Sequence, residues 1–197
     1  MSLALRDVSV RFDGQSTLYL PDLSLEAGQS LDLIGPSGAG KTTMLMVVAG
    51  LITRISGHME NRFQRIGFAF QDGRLIPHLS ARENVLLCCR SGGKARSLPS
   101  LDEAFGALDL SRQADQRAEA LSGGEAQRVN LLRAVYLQPD LLILDEVGAN
   151  VDDPNWALMA DFIERSHADN PFAILQVAHH ASRRVPSDDR LDLTFSK

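Results

Sequence analysis

Eight residues, GPSGAGKT at 35–42, restrict the fold of this chain more than any other stretch. Gly35 and Gly40 bracket four residues, and Lys41 and Thr42 complete a G-x-x-x-x-G-K-[ST] pattern. The run SLDLIG leads into the loop like a strand, and TTMLMVVAGLI follows it, too long for an ordinary strand and read as a buried helix. Strand, glycine loop, helix is the setting in which this pattern binds phosphate. Backbone N–H groups of such a loop line a nest for phosphate oxygens, and the helix adds its positive end. Lys41 is placed to reach the β- and γ-phosphates, and the Thr42 hydroxyl to ligate Mg²⁺. A chance glycine turn is the competing explanation, and the flanking strand and helix weigh against it.

A phosphate loop needs a carboxylate at the end of a buried strand to hold the metal's water shell. The apolar run LLIL has the continuity of a strand buried on both faces and ends at Asp145, with Glu146 next. Side chains alternate along a strand, but this strand is ending, so Glu146 can turn toward the terminal phosphate and orient water. An exposed acidic turn is the bland reading of the same pair.

The rest of the chain divides by pattern. LALRDVSVRF and STLYLPDLSL read as short strands in the first forty residues. From Arg74 to about Tyr136 helix signals replace strand signals. Ser80 with Glu83, and Ser100 with Glu103, have capping-box spacing, and RSGGKARSLP between them reads as a flexible surface loop. Trp156, Met159, Ala160 and Ile163 fall on one helical face, FAILQVA is a last buried strand before His179, and LDLTF resembles one more.

Composition excludes several classes. With 44% apolar and 23% charged residues the chain is an ordinary globular protein, and a net charge of −5 gives no basic footprint for nucleic acid. The apolar runs are well short of the roughly 18 residues of a membrane span. The first residues, MSLALRDVSV, alternate like a strand and are unlike a signal peptide, so the expected compartment is the cytosol. Adjacent Cys88 and Cys89 lack C-x-x-C spacing and are expected as reduced, helix-packed thiols.

A second glycine-opened helix is then unexpected. In LSGGEAQRV, Ser122 can cap, Gly123 and Gly124 allow close approach to the backbone, and Ala126, Val129, Leu132 and Val135 form an apolar seam. These residues alone leave open whether the helix start binds an anion or is simply well capped.

Taken together, the motifs resemble those of the ATP-binding cassette (ABC) ATPases, the motor subunits of ABC transporters, in the family's order over nearly the whole chain. GPSGAGKTT resembles Walker A, LLILDE Walker B, and LSGGEAQRV the signature motif. The resemblance implies an α/β fold: a P-loop NTPase (RecA-like) core with an N-terminal antiparallel β region and an inserted α-helical subdomain. It implies one domain over 1–197, with 1–73 and 137–197 as nucleotide-binding core and 74–136 as the helical subdomain. ATP would be bound by Gly35, Pro36, Ser37, Gly38, Ala39, Gly40, Lys41, Thr42 and Thr43, with Phe12 of VRFDG stacking on adenine. Thr42, Gln71 and Asp145 would hold Mg²⁺, Asp145 through water. Glu146 would orient or deprotonate water, His179 of VAHH would bond the γ-phosphate, and Gln71 of the FAFQDGRL segment would serve both metal and catalysis. Asp152 of ANVD matches the D-loop.

In this family two cassettes pair head to tail, so Ser122, Gly123, Gly124 and Glu125 would act on the partner's nucleotide, and a twofold contact of that kind is self-complementary. The implied partners are a second copy or a paired ABC subunit, a separate transmembrane permease and a substrate-binding protein, with no nucleic acid. The permease would present a short helix to a groove at Asp72, Arg74, Leu75, Ile76, Pro77 and His78, which places the protein on the inner face of the cell membrane. A soluble ABC protein acting as a scaffold or signalling clamp is the alternative. One stretch departs from the pattern: VGAN follows Glu146 where the family has proline, threonine and small residues, and Val151 replaces leucine before Asp152. The carboxylates are kept, so hydrolysis is expected to survive.

Overall fold

The first strand, β1 (Ser2–Arg11), alternates buried and half-exposed side chains except at Arg6 and Asp7, where its register with a neighbour shifts. The computed structural model describes residues 1–12, 17–89, 99–149, 151–178 and 184–193. On β1 assemble β2 (Thr17–Tyr19), β3 (Leu23–Glu26) and, along its other edge, β5 (Ile55–Asn61), all antiparallel. The expected N-terminal β region is this sheet.

A second sheet is parallel throughout. Its order is β6 (Ile66–Ala69), β7 (Leu141–Asp145), β8 (Ala173–Val177), β4 (Ser30–Ile34), β9 (Asp189–Asp192). Every residue of β7 and β8 is buried, as a strand covered on both faces requires. Successive side chains serve different cores: Leu141 and Ile143 pack with α1 (Lys41–Val48) and the antiparallel sheet, while Leu142 and Leu144 pack with the helices of the opposite face. Those helices are α2 (Ala81–Cys89), α3 (Leu101–Ala107), α4 (Gly123–Tyr136) and α5 (Asp153–Asp169). The result is the α/β nucleotide-loop architecture expected from the sequence.

Local chemistry sets the helix ends. Ser80 and Glu83 exchange hydrogen bonds before α2, as Ser100 and Glu103 do before α3, so both capping boxes exist. The buried helix read from TTMLMVVAGLI is shorter than that run. It stops at Val48, because Gly50 turns left-handed (φ 72) while Gly50 and Leu51 donate back to Val47 and Met46. That pairing is a Schellman ending, and it puts Leu51 and Ile52 outside the helix. On α5, Trp156, Met159 and Ile163 are buried and Ala160 packs against them. RSGGKARSLP lies almost wholly outside the described residues, as does His179. Among the described residues no helix is long and apolar enough to cross a membrane.

Candidate nucleotide site

Parallel strands β4 and β7 end side by side around β8, and the loop after β4 carries the glycines into α1. Gly40 precedes α1 at φ 88, a left-handed angle that favours glycine, and a Cβ there would lie 2.8 Å from the end of the Leu18 side chain, which would have to shift. No side chain caps α1 and its first turn has no acid. The free N–H groups and the positive end of the helix therefore face the loop, which is an anion site. Lys41 is 8% exposed and donates from Nζ to the Gly35 and Pro36 carbonyls, both at 2.9 Å. Its charge is thereby held across the mouth of the loop. Pro36, Ser37 and Gly38 are exposed, Ala39 is buried, and Thr42 and Thr43 are half-buried.

Thr42 Oγ1 donates to Asp145 Oδ1 at 3.2 Å, tying the start of α1 to the end of β7. Asp145 is 3% exposed, and burial pushes its carboxyl above the usual range; the Thr42 hydrogen bond lowers it, neighbouring Glu146 raises it, and Arg74 and Lys41 lower it. A buried carboxylate raised by desolvation beside a hydroxyl is a set of hard oxygen donors that a divalent cation would satisfy. Among the described residues no three acids, histidines or cysteines cluster as a cage. One carboxylate and one hydroxyl suit Mg²⁺, which keeps waters and takes its remaining ligands from phosphate.

Glu146 donates its backbone N–H to the Val177 carbonyl at 3.0 Å and takes a left-handed φ of 52. Val147, which follows, is buried in the core. A proline there would confine Glu146 to extended angles, so the VGAN departure has a structural counterpart. Gln71 lies two residues past β6, exposed, and its side chain has no hydrogen-bond partner among the described residues. Phe12 is 38% exposed and lines a cleft of about 330 Å³ with Val10, Arg11, Ile52 and Thr53.

At α4, Ser122 Oγ accepts from Glu125 N, while Glu125 Oε2 accepts the Ser122 N–H and hydroxyl at 2.8 Å each. These bonds hold the Glu125 carboxyl below its ordinary value, and Gln113 adds another to Oε1. Cβ atoms placed on Gly123 or Gly124 would meet nothing within 4 Å. Asp152 caps α5, accepting from Asn155 N at 2.9 Å and Asn155 Nδ2 at 3.0 Å. The structure thus brings together Lys41, Thr42, Asp145 and Glu146, while the Ser122 hydroxyl is engaged in the cap of its own helix.

Several residues that shape this site are not legible as such in the sequence. The α4 face is wider than the seam of Ala126, Val129, Leu132 and Val135, since Gln127, Arg128 and Asn130 are also buried. Gln127, Asn130 and Arg133 donate to carbonyls of 70–74; apart from the site, Asn84 of α2 bonds the backbone of Ile76, Leu79 and Ser80 and has a purely structural place. Cys88 is a free, half-buried thiol on α2, raised by burial.

Comparison with known proteins agrees with this geometry. The family model described as ABC transporter matches residues 20–149. The aliphatic sulfonates import ATP-binding protein SsuB 1 of Pseudomonas savastanoi pv. phaseolicola is 36% identical over 91% of this chain and 75% of its own length. The lipoprotein-releasing system ATP-binding protein LolD 1 of Rhodopirellula baltica is 33% identical over 90% and 86%. Among solved structures, a dimeric bacterial ABC transporter cassette superposes with TM-score 0.78 at 25% identity, covering 97% of this chain and 94% of that one. The same cassette as a post-hydrolysis dimer bound to ADP and Pi gives 0.71 at 25% identity, over 90% and 88%. The curated relatives serve import and release systems, which favours the transporter reading over a soluble clamp. This chain belongs to the ABC transporter family, as an ATP-binding and ATP-hydrolysing subunit that energises transport.

Proposed function

We propose that two such subunits close head to tail on two ATP molecules, each lending the start of α4 to the nucleotide on the other's phosphate loop. The observation that carries this reading is the empty space at Gly123 and Gly124. Glycine in a helix costs roughly 0.5–1 kcal/mol relative to alanine, and no packing among the described residues requires it here. A phosphate approaching from outside does. Part of this reading is the division into a nucleotide-binding core, 1–73 with 137–197, and a helical subdomain, 74–136, that carries the signature.

Phe12 stacks on the adenine, and Lys41 with the amides of 35–43 neutralises the phosphates. Mg²⁺, held by Thr42 and Gln71 and through water by Asp145, would supply charge neutralisation on the β- and γ-phosphates. Glu146 accepts the proton of a water whose oxygen bonds to the γ-phosphorus as the bridging P–O bond to the β-phosphate breaks. His179 donates a hydrogen bond to a γ-phosphate oxygen, Ser122 with Gly124 closes the cage from the partner, and Asp152 meets its own copy's neighbour across the dimer. A general base contributes about 10²–10⁴-fold, so Glu146→Gln is expected to lower turnover by that order and to trap an ATP-bound dimer in size-exclusion chromatography. Unchanged turnover removes Glu146 from this role.

A separate permease docks at the groove expected at Asp72, Arg74, Leu75, Ile76, Pro77 and His78, of which Arg74 and Ile76 line a cleft of about 340 Å³ together with Phe68, Phe70, Leu87 and Leu137, and this contact holds the subunit on the inner face of the membrane. A substrate-binding protein joins the assembly if cargo is imported. Relatives of near-equal identity are named for sulfonate import and lipoprotein release, so the cargo is selected by subunits other than this one.

A further inference from the structure

Residues 70–74 leave β6 and belong to no strand or helix; within the loop Gly73 N–H donates to Phe70 O at 3.3 Å and Arg74 N–H to Asp72 O at 2.9 Å, and further donors reach its carbonyls from outside. Among the described residues, the side chains that donate to these carbonyls come from one face of α4. Asn130, fully buried, donates from Nδ2 to the Phe70 carbonyl at 2.7 Å. Gln127 Nε2 donates to the Gln71 carbonyl. Arg133 donates to Gly73 O at 3.0 Å and to Arg74 O at 2.8 Å. The three side chains are also linked to one another, because Asn130 accepts from Arg133 at 3.0 Å and donates to Gln127 Oε1 at 3.3 Å. Spacings of three residues place them in a row along the helix. Arg74 completes the loop's fixation by lying 4.5 Å over the Phe70 ring, which stacks on Phe68 at 4.1 Å.

The same helix begins at Ser122. From there to the row is about 7–17 Å along the axis at 1.5 Å per residue, within one stiff element. Behind the row, α4 lies directly on the sheet: a Cβ on Gly67 of β6 would sit 2.3 Å from the Ala134 carbonyl.

We propose that Gln127, Asn130 and Arg133 are positioning residues that lock the loop bearing Gln71 to α4, so that capture of the partner's nucleotide at Ser122 sets Gln71 at the chain's own nucleotide. The inference rests on the reading of Gln71 and of the start of α4 given above. Among the described residues, the side chains that hold the phosphate loop and line the adenine cleft do not include the row, so its loss affects closure and turnover without affecting first binding of ATP.

The test uses the full chain with Mg-ATP. In Asn130→Ala, the Kd for nucleotide and the KM stay at the wild-type value, while kcat and ATP-dependent dimerisation fall about tenfold, within the span of ordinary site-to-site coupling. Asn84→Ala is the structural control, since it strips another fully buried amide from the neighbouring stretch; it lowers Tm and leaves kcat in place. If both variants lose kcat alike, or Asn130→Ala loses none, the inference is overturned. Gln71→Ala separates the two levels: if it lowers kcat while Asn130→Ala does not, the positioning role alone fails, and if Gln71→Ala is silent the reading of Gln71 fails and the inference with it. Should Asn130→Ala not fold, Arg133→Lys, which keeps the charge but loses the fork that spans two carbonyls, carries the same outcomes.

Discussion

Helix α1 starts behind Gly40, left-handed and without a side-chain cap, whereas α4 starts behind Ser122, whose hydroxyl and Glu125 close a reciprocal cap. The glycine before α1 is required by its own chain, since its φ of 88 is a left-handed angle that strains any residue with a Cβ. The glycines opening α4 are not, since the space around them is open. Around α1 a buried lysine, a hydroxyl and a buried carboxylate converge, whereas at the start of α4 the Ser122 hydroxyl and the Glu125 carboxylate are engaged with each other in the cap. The first helix start is a site assembled within one chain. The second is open on its outer side, as the proposed division of the active site between two copies asks of it.

The largest effects separate the two ends by what they abolish. Lys41→Ala removes charge-assisted contacts worth roughly 1.5–3 kcal/mol, so nucleotide affinity of the single chain is expected to fall by about 10- to 100-fold. Gly124→Asp places a carboxylate where the partner's phosphates would arrive. Single-chain affinity is then retained, while the ATP-dependent dimer is lost and turnover drops about 10²-fold or more, the order of losing a transition-state contact. Fluorescent-nucleotide titration and size-exclusion chromatography read the two quantities separately. If Gly124→Asp weakens single-chain binding as much as Lys41→Ala does, the two starts serve one pocket and the comparison breaks.

Stability gives a smaller and sharper contrast, of opposite sign. Gly40→Ala forces a left-handed angle on a residue with a Cβ, costing about 1–3 kcal/mol. Gly123→Ala meets no atom and removes backbone entropy from a helix, so it is expected to stabilise by a few tenths to about 1 kcal/mol while weakening the ATP-bound dimer. Thermal melts of the nucleotide-free protein measure both. Destabilisation by Gly123→Ala would mean that the chain itself needs that glycine.

The same contrast explains what the sequence reveals. GPSGAGKT and LLILDE are short, contiguous and mechanistically constrained, so Lys41, Thr42 and Asp145 could be expected together before any coordinates, and the structure joins two of them through one hydrogen bond. Alternation and continuous apolar runs likewise announced β1, β7 and β8. The end of α1 was obscured because Gly50 sits inside an otherwise apolar run, and an apolar run does not disclose which glycine will turn left-handed. Asn130 and Gln127 were hidden for another reason. A polar residue on a helix is by default solvated, and only the arrival of loop carbonyls from 60 and 56 residues earlier makes burial favourable. Glu146 carries a backbone angle that its neighbour permits, and no side-chain pattern encodes that.

The smallest effect concerns the cap on α4 and has a sign fixed by protonation. Glu125 is held below the ordinary carboxylate value first by the Ser122 backbone N–H, then by the Ser122 hydroxyl. An acid whose folded pKa is depressed contributes stability that is fully present above its unfolded pKa and is lost as pH falls through the folded one. Glu125→Gln keeps a capping-box acceptor but removes the negative charge at the positive end of the helix, a difference of about 0.3–1 kcal/mol. Wild type is therefore expected to exceed Glu125→Gln in stability at neutral pH, with the gap closing as the solution is acidified below the usual carboxylate range of about 4.3. Paired denaturant titrations across that interval measure it. A gap that persists in acid would assign the effect to the shape of the amide, and would leave the start of α4 without the electrostatic bias toward negative charge that its role beside a partner's phosphates requires.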